Sequence, residues 1–236
     1  MQGNSFHEHQ LDLCAAVKRN HWLILFGAID VIFRKRVGGR LDAARARRRK
    51  RHGRASRDTI AEKTHISQRS DDADARETVG HWEADLVICK RSRPVLVLHE
   101  RKTRITLMTR LAGKTAAETI AAMTAAFRRL DPRMRGSVTF DNDTCFARHM
   151  LLRGMLSATT YFCDAYASWQ KGGVENANGR IRRWLPRGTD LDEIDEADIQ
   201  EIAMTINLTP RKCLGYRSPV EAFLSELGRD VEIRFA

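Results

Sequence analysis

The spacing of apolar side chains changes character near residue 77, and that change divides the chain. From His81 to Lys90, Pro94 to Glu100 and Ile105 to Leu111, apolar and β-branched residues run in short blocks with brief polar gaps. That pattern predicts three strands joined by turns short enough for antiparallel pairing. Between Thr115 and Leu130 the period becomes helical, because Ile120, Met123, Phe127 and Leu130 fall on one stripe. Val138 to Asp141 predicts a fourth strand, Phe146 to Leu156 a helix and Thr159 to Cys163 a fifth strand. A long helix is expected from Gly172 or Gly173 to Trp184, then helices over Glu193 to Asn207 and Pro219 to Leu227. This order predicts an α/β domain over residues 77–230, with a mixed five-stranded sheet flanked by helices.

Upstream the pattern is weaker. Residues 1–33 show no clear period, and Leu23 to Phe26 with Val31 to Phe33 fit a short strand or a buried helical turn equally. Residues 58–76 carry Ser67, Ser70, Asp71, Asp72 and Asp74 with few large apolar side chains, the composition of a linker. The longest apolar run, Trp22 to Phe33, is twelve residues long and is broken by Asp30. It falls short of the roughly 20 residues a membrane helix needs. No signal peptide is expected either, since arginines follow that run where small residues should mark a cleavage site.

Charge sharpens this division. The 236 residues carry a formal net charge of +11. Twelve basic residues against Asp42 alone lie between Arg34 and Arg57, so the remaining residues balance at 29 basic and 29 acidic. A tract of this kind, with Arg47, Arg48, Arg49, Lys50 and Arg51 at its centre, attracts a polyanion through counterion release; nucleic acid is the expected partner. Its alternative is a disordered basic linker. The five cysteines are scattered, with no C-x-x-C pair, as expected in a reducing compartment. His7, His9, Cys14 and His21 match no common zinc spacing.

Three acids stand where such a sheet would place a metal site: Asp85 in mid-strand, Asp141 at a strand end and Glu175 near a helix start. A carboxylate in mid-strand is a poor sheet former and expensive to bury alone. Asp141, followed by Asn142 and Asp143, also reads as a turn, and Glu175 as an ordinary helix N-terminal acid.

The surrounding blocks carry a resemblance. Gly80-His81-Trp82-Glu83-Ala84-Asp85-Leu86, Thr139-Phe140-Asp141-Asn142 and the run from Ser168 to Gly179 (SWQKGGVENANG) resemble the catalytic blocks of DDE transposases of the insertion sequence 30 family. Leu185 to Asp190 and Pro210 to Pro219 resemble that family's C-terminal signatures, and 33 residues separate Asp141 from Glu175 as the family's triad requires. The resemblance covers about residues 58–230.

It implies an RNase H-like integrase core that cleaves and joins DNA strands, with Asp85, Asp141 and Glu175 as catalytic and metal-binding residues. The implied cofactor is two Mg²⁺ ions, with Mn²⁺ as the substitute; hard cations of this kind suit carboxylates. Lys171, Asn178 and Arg182 are expected to contact DNA, with Gln170 beside the helix start and Arg183 and Arg187 extending the positive character; Trp169 is expected to close a core edge. The implied protein works as a homo-multimer on DNA in the cytoplasm, associated with a bacterial nucleoid. Where the family has a helix-turn-helix ahead of the basic tract, residues 1–33 show no pair of short amphipathic helices. The expectation is a truncated or inactive copy. Asp143 and Cys145, where the family has Gly and Glu, and Arg148 and Thr209 also depart from its pattern. Two alternatives stay open: a non-catalytic DNA-binding protein retaining the integrase fold, and an RNase H-type nuclease acting on RNA/DNA hybrids.

Overall fold

The computed structural model describes residues 60–90, 93–165 and 167–228. All belong to the compact unit spanning residues 56–236. Residues 1–33 and the basic tract, including Arg47, Arg48, Arg49, Lys50 and Arg51, lie outside the described residues.

The five expected strands form one sheet. β1 (His81–Ile88), β2 (Pro94–Glu100), β3 (Thr106–Arg110), β4 (Ser137–Phe140) and β5 (Thr159–Phe162) lie in the order β3-β2-β1-β4-β5. β1 pairs antiparallel with β2, and β2 with β3, while β1–β4 and β4–β5 are parallel. The short gaps after β1 and β2 permit hairpins; the parallel strands need crossovers, which helices supply.

Alternation along β1 sends Trp82 and Ala84 to one face and Glu83, Asp85 and Val87 to the other. On the first face Trp82 is fully buried, donates from Nε1 to the Met134 carbonyl at 2.7 Å, and meets Phe127 edge-on at 5.4 Å between centroids. Phe127 ends the stripe of helix α2 (Ala116–Phe127), which Thr115 caps through the Glu118 amide. On the second face Val87, Val97 and Met108 pack against Val174 and Ile181 of helix α4 (Gly172–Ile181) and against Ile199, Ala203 and Ile206 of helix α5 (Glu196–Leu208). Gly80 enters β1 at φ +98°, and a Cβ there would stand 2.6 Å from the Arg133 carbonyl oxygen. No L side chain suits this position.

Boundaries shift where local hydrogen bonds compete. The helix expected from Phe146 is a 3-10 turn, Thr144–Phe146, followed by helix α3, Met150–Leu156. Asp143 accepts the Cys145 amide at 3.1 Å and tightens that turn. α5 starts three residues later than expected because Asp195 and Asp198 form a capping box. α4 ends at Ile181 rather than Trp184. Helix α6 spans Pro219–Gly228.

The segment with the composition of a linker is bound to the domain over its described part, residues 60–76. It contains a 3-10 turn, Ile66–Gln68, and helix α1, Asp71–Ala75. Ile60, Ile66 and Ala73 are buried, His65 bridges to Phe162, and the Arg69 guanidinium donates to Thr139 Oγ1 at 3.0 Å. Specific polar bonds to the sheet replace the apolar periodicity that sequence reading looks for.

Candidate active site

The register of the parallel pair sets the site. Glu83 pairs with Thr139, so two residues onward Asp85 and Asp141 stand abreast at the carboxyl end of β4. Open α/β sheets gather ligands at such ends. Glu175 is exposed on the first turn of α4, one residue after Val174, whose amide donates to the buried Glu83 carboxylate at 2.8 Å. A cleft of about 590 Å³ is lined by all three acids, together with Asn142, Cys163 and Lys171.

Within it, Lys171 is buried, at 3% exposure. Its Nζ donates to Asp141 Oδ2 at 3.1 Å and to the Ala84 carbonyl at 3.2 Å, and stands 3.5 Å from Asp85 Oδ1. Asn178 Nδ2 donates to the other oxygen, Asp85 Oδ2, at 2.6 Å. Burial pushes the Asp85 carboxyl above its usual range, and Asp141 adds to this, although Lys171 opposes it. Burial would lower the Lys171 ammonium, yet Asp85 and Asp141 hold it above the ordinary lysine value. Cys163 is the thiol of the lining, and burial pushes it up to about 11, so it is not a thiolate nucleophile near neutrality.

The donor set is oxygen-rich. Three carboxylates, with the Asn178 Oδ1 buried beside them without a hydrogen-bond partner, suit a hard divalent cation. Among the described residues, no three His, Cys, Asp or Glu side chains already converge as a finished cage. Two of the aspartate oxygens instead face the Lys171 ammonium.

Several expected DNA contacts are engaged within the protein. Lys171 faces the aspartates. Arg182 donates to the Ile88 carbonyl at 2.8 Å and the Leu185 carbonyl at 3.3 Å, pinning α4 to the end of β1. Gln170 Nε2 donates to Asp164 Oδ2, and its Oε1 accepts the Asp164 amide, both at 2.8 Å. Asn178 orients Asp85. Trp169, expected at a core edge, is 76% exposed. Asp143 does not line the cleft; it pairs with Lys114, and its amide donates to Asp141 Oδ1 at 3.1 Å. Glu83 was legible only as a neighbour of Asp85 on its strand face. An acid in mid-strand, two residues from a candidate ligand, was the available signal.

The catalytic core domain of BIV integrase superposes with a TM-score of 0.50 at 18% identity, covering 64% of this chain and 97% of that one. Together with the strand order, this gives the chain the RNase H-like fold of that integrase core. No family model matches the chain. Its sequence is 35% identical over 175 residues to the transposase InsI of insertion sequence element IS30A from Escherichia coli K12, which covers 74% of this chain and 46% of that protein. It is 33% identical over 194 residues to the transposase of element IS1086 from Cupriavidus metallidurans, covering 81% and 57%. The chain is therefore homologous to transposases of the insertion sequence 30 family over most of its length, and it spans about half the length of these relatives. Among the described residues no helix is long and apolar enough to cross a membrane.

Proposed function

We propose that this chain carries the catalytic core of a DDE transposase, which cleaves DNA strands and joins them during transposition of an insertion sequence. The observation that supports this best is the alignment of Asp85 with Asp141 by the β1–β4 register, in one cleft with Glu175. The bound group would be Mg²⁺, two ions held by Asp85, Asp141 and Glu175, with Mn²⁺ as a substitute. When bound, this group would supply Lewis acidity toward the attacking water or 3′-hydroxyl and the leaving oxygen of an in-line displacement.

The protein's own residues divide the remaining work. Asp85, fixed in mid-strand and held by Asn178, supplies the least movable carboxylate. Asp141 is fixed by its own strand end and by the Asp143 amide. Glu175 comes from the helix opposite and faces solvent, open to a phosphate backbone. Lys171 balances the aspartates' charge and keeps them from repelling one another. DNA is the partner, as element ends and target, and the working form is a homo-multimer on DNA in the bacterial cytoplasm.

The test is a nicking and strand-transfer assay on element-end DNA with Mg²⁺ or Mn²⁺. Asp85→Asn and Glu175→Gln are expected to abolish both steps while leaving the fold intact. DNA binding that ignores the metal and both substitutions, with no strand cleavage in the parent protein, would instead identify a DNA-binding protein on an integrase scaffold. Hydrolysis confined to RNA/DNA hybrids, without joining, would identify a nuclease.

A further inference from the structure

Resting on the reading of Glu175 as a metal ligand, we propose that Glu83 is a positioning residue: its buried carboxylate seats the helix that presents Glu175, and Gly173 is the gap that lets it do so. Glu83 is fully buried on β1, two residues before Asp85 on the same strand face. Its Oε2 accepts the Val174 amide at 2.8 Å, in the first turn of α4. Its Oε1 accepts from Arg101 Nη1, and Arg101 is itself held by Nε donating to the Ala73 carbonyl at 2.9 Å. The carboxylate is thus gripped from behind while it grips the helix in front.

The N-cap residue does not do this job. The residue preceding α4, Lys171, makes no side-chain cap, because an ammonium carries only donors and cannot accept from the amides of a helix N-terminus. Helix N-termini expose unpaired amides that call for an acceptor, and a negative one is favoured by the helix dipole. Glu83 provides it from the sheet, across 91 residues of sequence. Gly173 is where the fit is tightest: a Cβ there would stand 2.8 Å from Glu83 Oε2 and 3.0 Å from His99 Cδ2. One strand therefore carries both Asp85 and the fixture that sets where Glu175 stands relative to it. An ion pair serving stability alone would have no need to end on the amide next to the third ligand.

The test measures Mn²⁺ affinity of the full chain without DNA, by electron paramagnetic resonance of the free ion, beside its melting temperature. Gly173→Ala and Glu83→Gln are each expected to weaken Mn²⁺ binding about 10-fold, the usual loss when a ligand's support is removed. Leu107→Ala, on the edge strand β3, is expected to lower the melting temperature without altering Mn²⁺ affinity. Adding Glu83→Asp to Gly173→Ala withdraws the carboxylate from the new methyl group and should recover part of the loss. Wild-type affinity in folded Gly173→Ala and Glu83→Gln, or simple addition of losses in the double variant, would overturn the proposal. Glu175→Gln is the separate control: if it leaves Mn²⁺ affinity unchanged, the reading of Glu175 itself is wrong and the proposal falls with it.

Discussion

Lys171 donates to Asp141 from inside the cleft, Nζ to Oδ2 at 3.1 Å, and the same ammonium stands 3.5 Å from Asp85. A lysine at this place acts as the aspartates' own counter-ion, and a divalent cation must share them with it. Lys171→Met is expected to tighten Mn²⁺ binding by roughly ten-fold through removal of a like charge. In the metal-free protein the same change leaves two carboxylates facing each other, and a loss of about 2 kcal/mol follows, moderated because Asp141 is partly solvated. Mn²⁺ titration and thermal melts with and without chelator measure both; unchanged affinity would remove Lys171 from the competition.

Asn178 offers a cleaner dissection of geometry. Its amide holds Asp85 Oδ2 at 2.6 Å, and Asn178→Ala frees that carboxylate to rotate. The expected result is about a 10- to 100-fold loss of strand cleavage with little change in melting temperature. A loss confined to DNA affinity would show that Asn178 acts on the nucleic acid instead.

The buried His99 predicts an acid-sensitive fold. Burial, with repulsion from Arg104 and Arg180 added, pushes its pKa from 6.5 down to about 3. The imidazole is neutral in the native state and takes up a proton only on unfolding. Its contribution is therefore complete above the unfolded pKa of about 6.5 and is lost as pH falls from there toward 3, at up to about 1.4 kcal/mol per pH unit. Urea midpoints at pH 7 and pH 5 should differ accordingly, and His99→Gln should flatten that part of the difference. An equal pH dependence in the variant would assign it to other groups.

A protein starting at residue 77, where the regular strand pattern begins, should be much less stable than one starting at residue 58. It would lose the buried Ile60 and Ile66, each worth roughly 1.5–3 kcal/mol. It would also lose the Arg69–Thr139 bond and the Ala73 carbonyl that holds Arg101. Urea denaturation of the two lengths checks this; equal midpoints would show residues 60–76 to be a passive tether.

These cases show what sequence can and cannot display. The strands and the α2 stripe were legible because each follows from a period within one element, and Asp85, Asp141 and Glu175 stood out through the element order and the family-like blocks around them. Residues 60–76 were not, because single apolar anchors and side-chain bonds to distant strands leave no periodic trace. The intramolecular partners of Lys171 and Arg182 were hidden for a related reason: a long cationic side chain turns toward phosphate or toward the protein's own acids and carbonyls according to neighbours that only the folded chain supplies. Glu83 stood in plain view beside Asp85, but its partners, Arg101 and the Val174 amide, are 18 and 91 residues away.

Two of the three carboxylates stand on or at the end of hydrogen-bonded strands, whereas the third rides on a separate helix that meets the sheet through side chains, namely the Glu83 cap, the Asn178 and Arg182 bonds and an apolar underside. Compliance in this centre is therefore lopsided. A shift of that one helix changes the spacing of the whole centre, while the two aspartates serve as the fixed ruler against which its travel is measured.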